Sequence, residues 1–338
     1  MLRLSRQLAG ITQSELAVLA GVNRSVISLI ENGERKPTED LLEKFAVETK
    51  RPVSFFNWPG EICAPSTVFH RRKASTRMRE VEQTNAFINF ARLKLLRMLS
   101  GMKLKTRRQI FRNPISDCRS PADIARQLRA SWQVPPGPIS DMTEIIESAG
   151  IVIWETDRLS TDVDGLSLWP LGEEELPPLI VLVHGKPTDR CRLTLAHELG
   201  HLIMHHMPSD HYEDDANRFA AEFLMPEDDI KQALSNMTLL KAAALKGKWK
   251  TSMQSLIRRS FDLHQISSSC YRRLMTELSM KGYRKLEPVI IRLEEPRLLQ
   301  AIMTSFQSKI KDSKIASELI GEVENCTEEI RDILKLYC

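Results

Sequence analysis

A stretch at residues 193–206, LTLAHELGHLIMHH, places the strongest constraint on how this chain of 338 residues folds. Its apolar residues recur at intervals of three and four, which predicts an amphipathic helix with one side in a core. On such a helix His197 and His201 lie one turn apart on the same face, where two imidazole nitrogens can bind one cation. The order H-E-x-x-H, with Glu198 directly after the first histidine, therefore indicates a metal site built into a folded core.

The chemistry of this motif depends on a third ligand. Zinc held by three protein ligands keeps a fourth position open and lowers the pKa of water there to about 7. A carboxylate beside the first ligand, here Glu198, can accept that proton while the water attacks a peptide carbonyl. Because H-E-x-x-H also arises by chance, a histidine-rich surface helix that binds adventitious metal is the alternative interpretation.

The next segment, residues 211–229, reads HYEDDANRFAAEFLMPEDD and predicts a second helix. Glu213 and Asn217 share one face of it at i and i+4. The opposite face is apolar and is predicted to be buried through Phe219, Ala220, Phe223 and Leu224. A carboxylate and an amide are therefore presented together, on a helix that has its own core side.

Other residues near the motif compete for the role of ligand. Asp214 and Asp215 are turned about 100° and 200° from Glu213 around a helix, so at most one of these three carboxylates can face a given metal ion. Glu222 lies further along and is expected to make a surface contact. His205 either extends the metal-binding face or has a supporting or substrate-binding role, and we favour the latter pair of roles; a supporting role is also assigned to Asn217.

Taken together, RLTLAHELGHLIMHH and EDDANRFAAEFLMP resemble the ImmA/IrrE family of bacterial metallopeptidases. The likeness continues upstream through VDGLSLW and downstream through LKGKWKTSMQSLIRRS, and covers roughly residues 120–295. It implies a zincin-like α+β fold and zinc, or manganese in its place, bound by His197, His201 and Glu213, with Glu198 as general base. It also implies a specific protein substrate, such as a repressor whose cleavage releases a stress or mobile-element gene.

The first fifty residues carry the signals of several short helices. Thr12 and Glu15 form a capping-box pattern, Gly21 supplies a turn, and Asn23 stands where a second helix begins. A helix, a glycine turn and a second helix are the layout of a helix-turn-helix, in which the second helix offers its outward residues to base edges in the major groove.

The string TQSELAVLAGVNRSVISLIENGERKPT resembles the XRE family of helix-turn-helix domains, which are lambda-repressor-like and all-α. The resemblance covers about residues 2–58 and implies binding to duplex DNA. The residues it places against DNA are Gln13, Arg24, Ser25, Ser28 and Asn32, with Arg35 and Lys36 meeting phosphate. The alternative is that this N-terminal segment, called the head below, docks on a partner protein, because the same fold also mediates protein contacts.

The net charge of +4 is small but unevenly distributed. Residues 70–113 hold thirteen Lys or Arg against Glu80 and Glu82. Apolar residues on helical spacing cross the same segment, namely Phe87, Ile88, Phe90, Ala91, Leu95 and Leu96. Such a helix either attracts phosphate or an acidic partner, or presents a solvated basic face.

Three short β-branched or apolar runs predict strands: IVIWE, GLSLW and LIVLV. A helix over 142–146 is expected before the first of them. A few strands followed by a long helical run predict an α+β core rather than a doubly wound sheet.

The last third of the chain reads as helical. KGKWKTSMQSLIRRS, residues 246–260, predicts a turn and then a helix that packs on the core or forms a second helix-turn-helix-like element. Its inward residues are expected to be Met253, Leu256 and Ile257, and its outward ones Arg258 and Arg259. Further apolar residues on helical spacing predict a packed amphipathic helix or a homodimer contact through Ala316, Leu319, Val323, Cys326, Ile330 and Ile333.

These signals predict a multidomain, mainly α chain with an α+β core. The expected division is a helix-turn-helix domain at 1–58, a basic helical linker at 59–118, a metallopeptidase domain at 119–245 and a helical C-terminal region at 246–338. Six scattered cysteines indicate no disulfide framework, and no run approaches about 18 apolar residues, so we expect a cytoplasmic protein without a membrane segment. The rival to a peptidase is a DNA-binding transcription factor whose metal site is a sensor or a structural clamp.

Overall fold

The computed structural model describes residues 1–60, 62, 78–100, 104–116, 119–157, 159, 163–169, 176–205 and 211–311. Its helices are α1 (Leu2–Leu8), α2 (Gln13–Ala20), α3 (Arg24–Glu31), α4 (Glu39–Thr49), α5 (Met78–Leu99), α6 (Pro121–Ser131), α7 (Met142–Ser148), α8 (Thr188–Met204), α9 (Tyr212–Leu224), α10 (Glu227–Ile230), α11 (Leu239–Trp249), α12 (Met253–Asp262), α13 (Ser268–Met280) and α14 (Leu298–Lys311). Its strands are β1 (Val152–Thr156), β2 (Gly165–Leu168) and β3 (Leu179–Val183).

Some predictions fall outside these ranges. They concern the helix expected beyond residue 311, His206, and five of the basic residues, namely Arg71, Arg72, Lys73, Arg77 and Lys103. Among the described residues, no helix combines the length and the apolarity needed to cross a bilayer.

The first four helices form the predicted helix-turn-helix head. The capping box is present: the Thr12 hydroxyl accepts a hydrogen bond from the Glu15 backbone N–H at 3.1 Å, and a Glu15 carboxylate oxygen accepts one from the Thr12 N–H at 2.5 Å. Gly21 ends α2 with a φ of +69°, a left-handed conformation that glycine adopts without strain. Leu16, Ile27 and Phe45 are fully buried between these helices, so the head has a core of its own.

A mixed sheet with the order β1-β3-β2 forms the centre of the second part. β1 runs parallel to β3 and β2 runs antiparallel to it. Because side chains alternate along a strand, Ile153 and Ile180 face a core shared with α7, α8 and α9, while Trp154 and Val181 face a core shared with α5 and α14. All three predicted strands are confirmed, as is the α+β core of a mainly helical chain.

The basic segment contains the predicted helix, α5, but that helix does not present a solvated basic face. Arg92 is 3 % exposed, and the apolar residues of α5 fill the core on its side of the sheet. The Lys94 ammonium lies 5.5 Å from the centre of the Trp154 ring, and the Arg97 guanidinium lies 4.8 Å from that of Trp58. Cation–π contact and apolar packing of the long stems accommodate these charges, so the solvated interpretation is wrong for the middle and end of α5. Arg79 in its first turn and Lys105 and Arg107 beyond it are exposed.

Helices α10 to α13 pack on the core that contains α8 and α9, whereas α14 packs on the core that contains α5. Met253, Leu256 and Ile257 of α12 point inward as predicted. Arg259 does not point outward: it is 8 % exposed, because its guanidinium reaches a buried carboxylate. Residues 246–249 belong to α11 rather than to a turn, so the expected division between 245 and 246 falls inside a helix.

Candidate metal centre

The H-E-x-x-H motif lies on α8, and α9 packs closely against it. An added Cβ on Gly200 would lie 3.0 Å from a ring carbon of Phe219 in α9, closer than side chains normally tolerate. Glycine at this position therefore permits the close approach of the two helices. The approach brings the first turn of α9, with Glu213, beside the histidines of α8.

The three side chains converge on one point. The Nε2 atoms of His197 and His201 are 3.0 Å apart. Carboxylate oxygens of Glu213 lie 3.5 Å from the His197 Nε2 and 3.7 Å from the His201 Nε2. The two Glu213 distances involve different oxygens, Oε2 and Oε1. Ligands about 2.0 to 2.1 Å from a tetrahedral zinc ion stand about 3.3 Å from one another, so these separations are close to those around a single ion held by the three side chains.

The second ring nitrogen of each histidine, Nδ1, contacts a neighbouring side chain that can fix the orientation of the ring. Nδ1 of His197 lies 3.1 Å from Oδ1 of Asn217, an oxygen that only accepts hydrogen bonds. Nδ1 of His201 lies 3.0 Å from Nδ1 of His205, which is itself buried. When each Nδ1 carries the proton and donates it to its partner, each Nε2 presents a lone pair toward the shared point.

Burial and the neighbouring carboxylates set the protonation of the two histidines in opposite directions. The pKa of His201 is lowered to about 2 by burial and by repulsion from His197 and His205, so this ring is neutral, as a metal ligand must be. Burial also acts to lower the pKa of His197, but the hydrogen bond that its ring donates to Glu213 and the charges of Glu198 and Glu213 outweigh it, and the pKa is raised. In the absence of a cation, His197 is thus the ring that takes a proton.

Glu198 is 5 % exposed and lies at the same site. Burial raises the pKa of its carboxyl to about 7, although the charge of His197 and the neighbouring Ser167 hydroxyl act in the opposite direction. Its Oε2 atom is buried without a hydrogen-bond partner among the described residues. A carboxylate with a pKa near neutrality can accept a proton and release it again, and an unsatisfied buried oxygen fits a site completed by a group from outside the chain.

Tyr212 is a neighbour of the site that the sequence did not single out. Its ring centre lies 5.5 Å from that of His201 and 6.1 Å from that of His205. It covers the histidine pair from the start of α9. Its position directly before Glu213 was the available signal, but neighbours on a helix point about 100° apart, so sequence adjacency alone did not imply this contact.

Glu222 corrects a prediction. It was expected at the surface, but it is 2 % exposed. One of its oxygens accepts a hydrogen bond from Arg126 of α6 at 2.8 Å, and the other pairs with Arg259 of α12. The prediction was wrong because α6 and α12 cover this side of α9, and the resulting ion triad ties the helix of Glu213 to both of them.

In the head, the residues expected to touch DNA fall into two groups. Arg24 and Ser25 are exposed at the start of α3 and Ser28 is half-buried one turn later, while Arg35 and Lys36 are exposed beyond the helix. Two others have partners within the head. The Gln13 amide donates a hydrogen bond to Glu31 at 2.9 Å, and the Asn32 side chain accepts one from Arg3 at 2.9 Å.

Two family models match the chain. Residues 146–261 match the model of the IrrE N-terminal-like domain of peptidase family M78, and residues 2–56 match the model of the helix-turn-helix family. No curated protein matches the chain. Both resemblances drawn from the sequence are confirmed, and the group formed by His197, His201 and Glu213 lies within the peptidase match. The chain therefore joins a helix-turn-helix segment of a DNA-binding type to a segment that matches a metallopeptidase family. The peptidase family implies a bound metal.

Proposed function

We propose that this chain, which joins a helix-turn-helix segment to an IrrE-like segment, is a bacterial transcriptional regulator that also acts as a metal-dependent endopeptidase. Its substrate is a specific regulatory protein such as a repressor, cleaved in a stress or mobile-element response. The proposed metal is zinc, with manganese as the alternative. The division into domains at 1–58, 59–118, 119–245 and 246–338, and an association into homodimers, stay predictions.

The roles proposed at the site follow from its contacts. His197, His201 and Glu213 hold the metal, and Asn217 and His205 orient the two rings through their Nδ1 atoms. Bound zinc supplies a Lewis acid that polarises a carbonyl and lowers the pKa of water to about 7. Glu198 accepts the proton of the attacking water and passes it to the leaving amine.

The observation that carries the proposal is the convergence of three ligand atoms, all within 4.8 Å of one another, beside the unsatisfied Oε2 of Glu198. A metal site with a purely structural role needs the three ligands. It does not require a buried carboxylate such as Glu198, whose Oε2 atom has no hydrogen-bond partner among the described residues. A hydrolytic site needs both. The peptidase therefore explains more of the geometry than a metal sensor does.

The test is metal content, measured by mass spectrometry on purified wild type and three variants. We expect about one zinc or manganese ion per chain in the wild type and its loss in His201→Ala and Glu213→Ala. Asp214→Ala is the matched control, because this neighbouring carboxylate is exposed and lies outside the ligand group, and it should keep the metal. A folded wild type without metal contradicts the proposal. Bound metal that changes DNA affinity, with no cleavage of any candidate repressor, favours the sensor.

For the head, we propose that Arg24, Ser25 and Ser28 face base edges, that Gln13 and Asn32 also touch the DNA, and that Arg35 and Lys36 contact phosphate. The exposure of the first turn of α3 supports this assignment. Duplex affinity that falls steeply with salt is the expected result. Duplex affinity that does not depend on salt would favour the alternative, in which the head docks on a partner protein.

A further inference from the structure

A cleft of about 710 Å³ lies between the head and the first turns of α5. Its walls include Gln13 and Arg24, which we propose as DNA contacts, and Arg79 of α5. We infer that Arg79 binds the phosphate backbone of the same duplex, so that the DNA interface includes a residue outside the helix-turn-helix segment. This inference rests on the proposed DNA binding of the head and identifies a further contact for it.

Close packing fixes the position of α5 against the head. An added Cβ on Gly10 would lie 2.2 Å from the Gln83 side chain, which shows how near the loop between α1 and α2 comes to α5. Arg79 lies four residues before Gln83 and thus one turn earlier on the same face of the helix. Its guanidinium is 3.9 Å from the Glu15 carboxylate in the first turn of α2. Arg79 is therefore held beside the turn that begins the helix-turn-helix.

The guanidinium of Arg79 is available to a ligand. Its side chain is 56 % exposed, and the Glu15 oxygen nearest to it already accepts a hydrogen bond from the Thr12 backbone. An exposed ion pair of this length contributes little, so exchange of the carboxylate for a phosphate costs little. Arg6 in the same cleft differs, because it is bound at 2.5 Å to the buried carboxylate of Glu31.

The charge of the cleft favours an anion. Its walls hold four arginines and two acidic residues, namely Arg3, Arg6, Arg24, Arg79, Glu31 and Glu82. Duplex DNA offers one negative charge per about 1.7 Å of its axis, and a guanidinium can bind phosphate through two parallel hydrogen bonds. Such a contact adds affinity without sequence preference. Arg79 should therefore strengthen binding to every duplex that the head holds.

The test uses the full-length chain and a short fluorescent duplex of mixed sequence. Affinity is measured by anisotropy at several NaCl concentrations from about 50 to about 200 mM, for wild type, Arg79→Ala and Arg79→Lys. Arg273→Ala is the matched control, because Arg273 is an exposed arginine of α13 that does not line the cleft. Loss of one phosphate contact should reduce the slope of log affinity against log salt by about 0.9 in Arg79→Ala. The lysine variant and the control should keep the slope of the wild type.

The outcomes separate the inference from the proposal on which it rests. A wild type with salt-dependent binding and an unchanged slope in Arg79→Ala overturns the inference alone. An equal fall in the control, or in the lysine variant that keeps the charge, also overturns it, because the effect is then not a phosphate contact of Arg79. A wild type without salt-dependent binding overturns the DNA-binding proposal together with the inference.

Discussion

The Nε2 atom of His197 lies 3.0 Å from the Nε2 atom of His201, one turn along the same helix. The Nδ1 atoms of both rings already have partners on their far sides, so two lone pairs point at one spot. Two lone pairs at this distance repel unless a proton or a cation lies between them. The arrangement therefore favours a bound metal. Removal of the metal is expected to destabilise the folded protein.

Removal of the metal should lower the thermal stability of the protein. Binding to the folded state alone stabilises by about 2.7 kcal/mol when free metal is about 100 times its dissociation constant. Melting curves with chelator and then with added zinc should show a fall and a recovery of Tm in the wild type. His201→Ala should show neither change. A wild type that binds zinc with no shift in Tm would contradict the prediction.

Glu198→Gln should abolish peptide cleavage while it keeps the metal. The amide has nearly the same shape but cannot accept the proton of the attacking water, and general-base catalysis of this kind contributes about 10²- to 10⁴-fold. The comparison is the cleavage rate of a candidate repressor, with metal content measured on the same preparation. Cleavage at the wild-type rate would remove Glu198 from the role of base.

In the metal-free protein, Glu198 should make stability fall as pH rises. Its folded pKa of about 7 lies above the usual value of 4.5, so the folded state retains a proton that the unfolded state has lost between these two values. Linkage then lowers the free energy of unfolding with rising pH across this range, by an amount on the order of 3 kcal/mol at most. Urea unfolding at several pH values should show this loss as the difference between the wild type and Glu198→Gln, because the lowered pKa of His201 makes stability rise with pH in both proteins. Parallel pH profiles for the two proteins would refute the assignment.

Glu222→Ala should destabilise the fold strongly. It removes the shared partner of Arg126 and Arg259 and leaves the buried guanidinium of Arg259 without its carboxylate. Breaking a buried ion pair typically costs about 3 to 5 kcal/mol. Glu227→Ala is the control, because this carboxylate is more than a third exposed and its pair with Lys231 should contribute less than about 1 kcal/mol. Similar unfolding free energies for the two variants would show that the triad is not structural.

Gly200→Ala should weaken metal binding through the packing of two helices. The new methyl group would contact Phe219 at 3.0 Å and push α8 and α9 apart, which separates Glu213 from the histidines. Gly247→Ala is the opposite case, because nothing lies within 4 Å of an added Cβ in α11. There the change should stabilise the helix by about 0.5 to 1 kcal/mol. Zinc titrations and urea unfolding of both variants test the contrast.

The sequence by itself determined the features that depend on near neighbours along the chain. The turn-to-turn spacing of His197 and His201, the capping box of Thr12 and Glu15, and the three strands all follow from the periods of helix and strand and from local hydrogen bonds. Family resemblance then identified Glu213 as the third member of the metal group, a role that no local period could assign.

Only the tertiary structure decided which charged residues are buried. Glu222 and Arg259 were expected at the surface because charged side chains are rarely buried without a partner, yet the partners that satisfy Glu222 lie 96 and 37 residues away. The basic helix α5 is likewise buried from Thr84 onward by contacts with the head and the sheet. A charged side chain enters a core only where distant elements supply its counter-charge or an aromatic face, and those pairings exist only once the chain has folded.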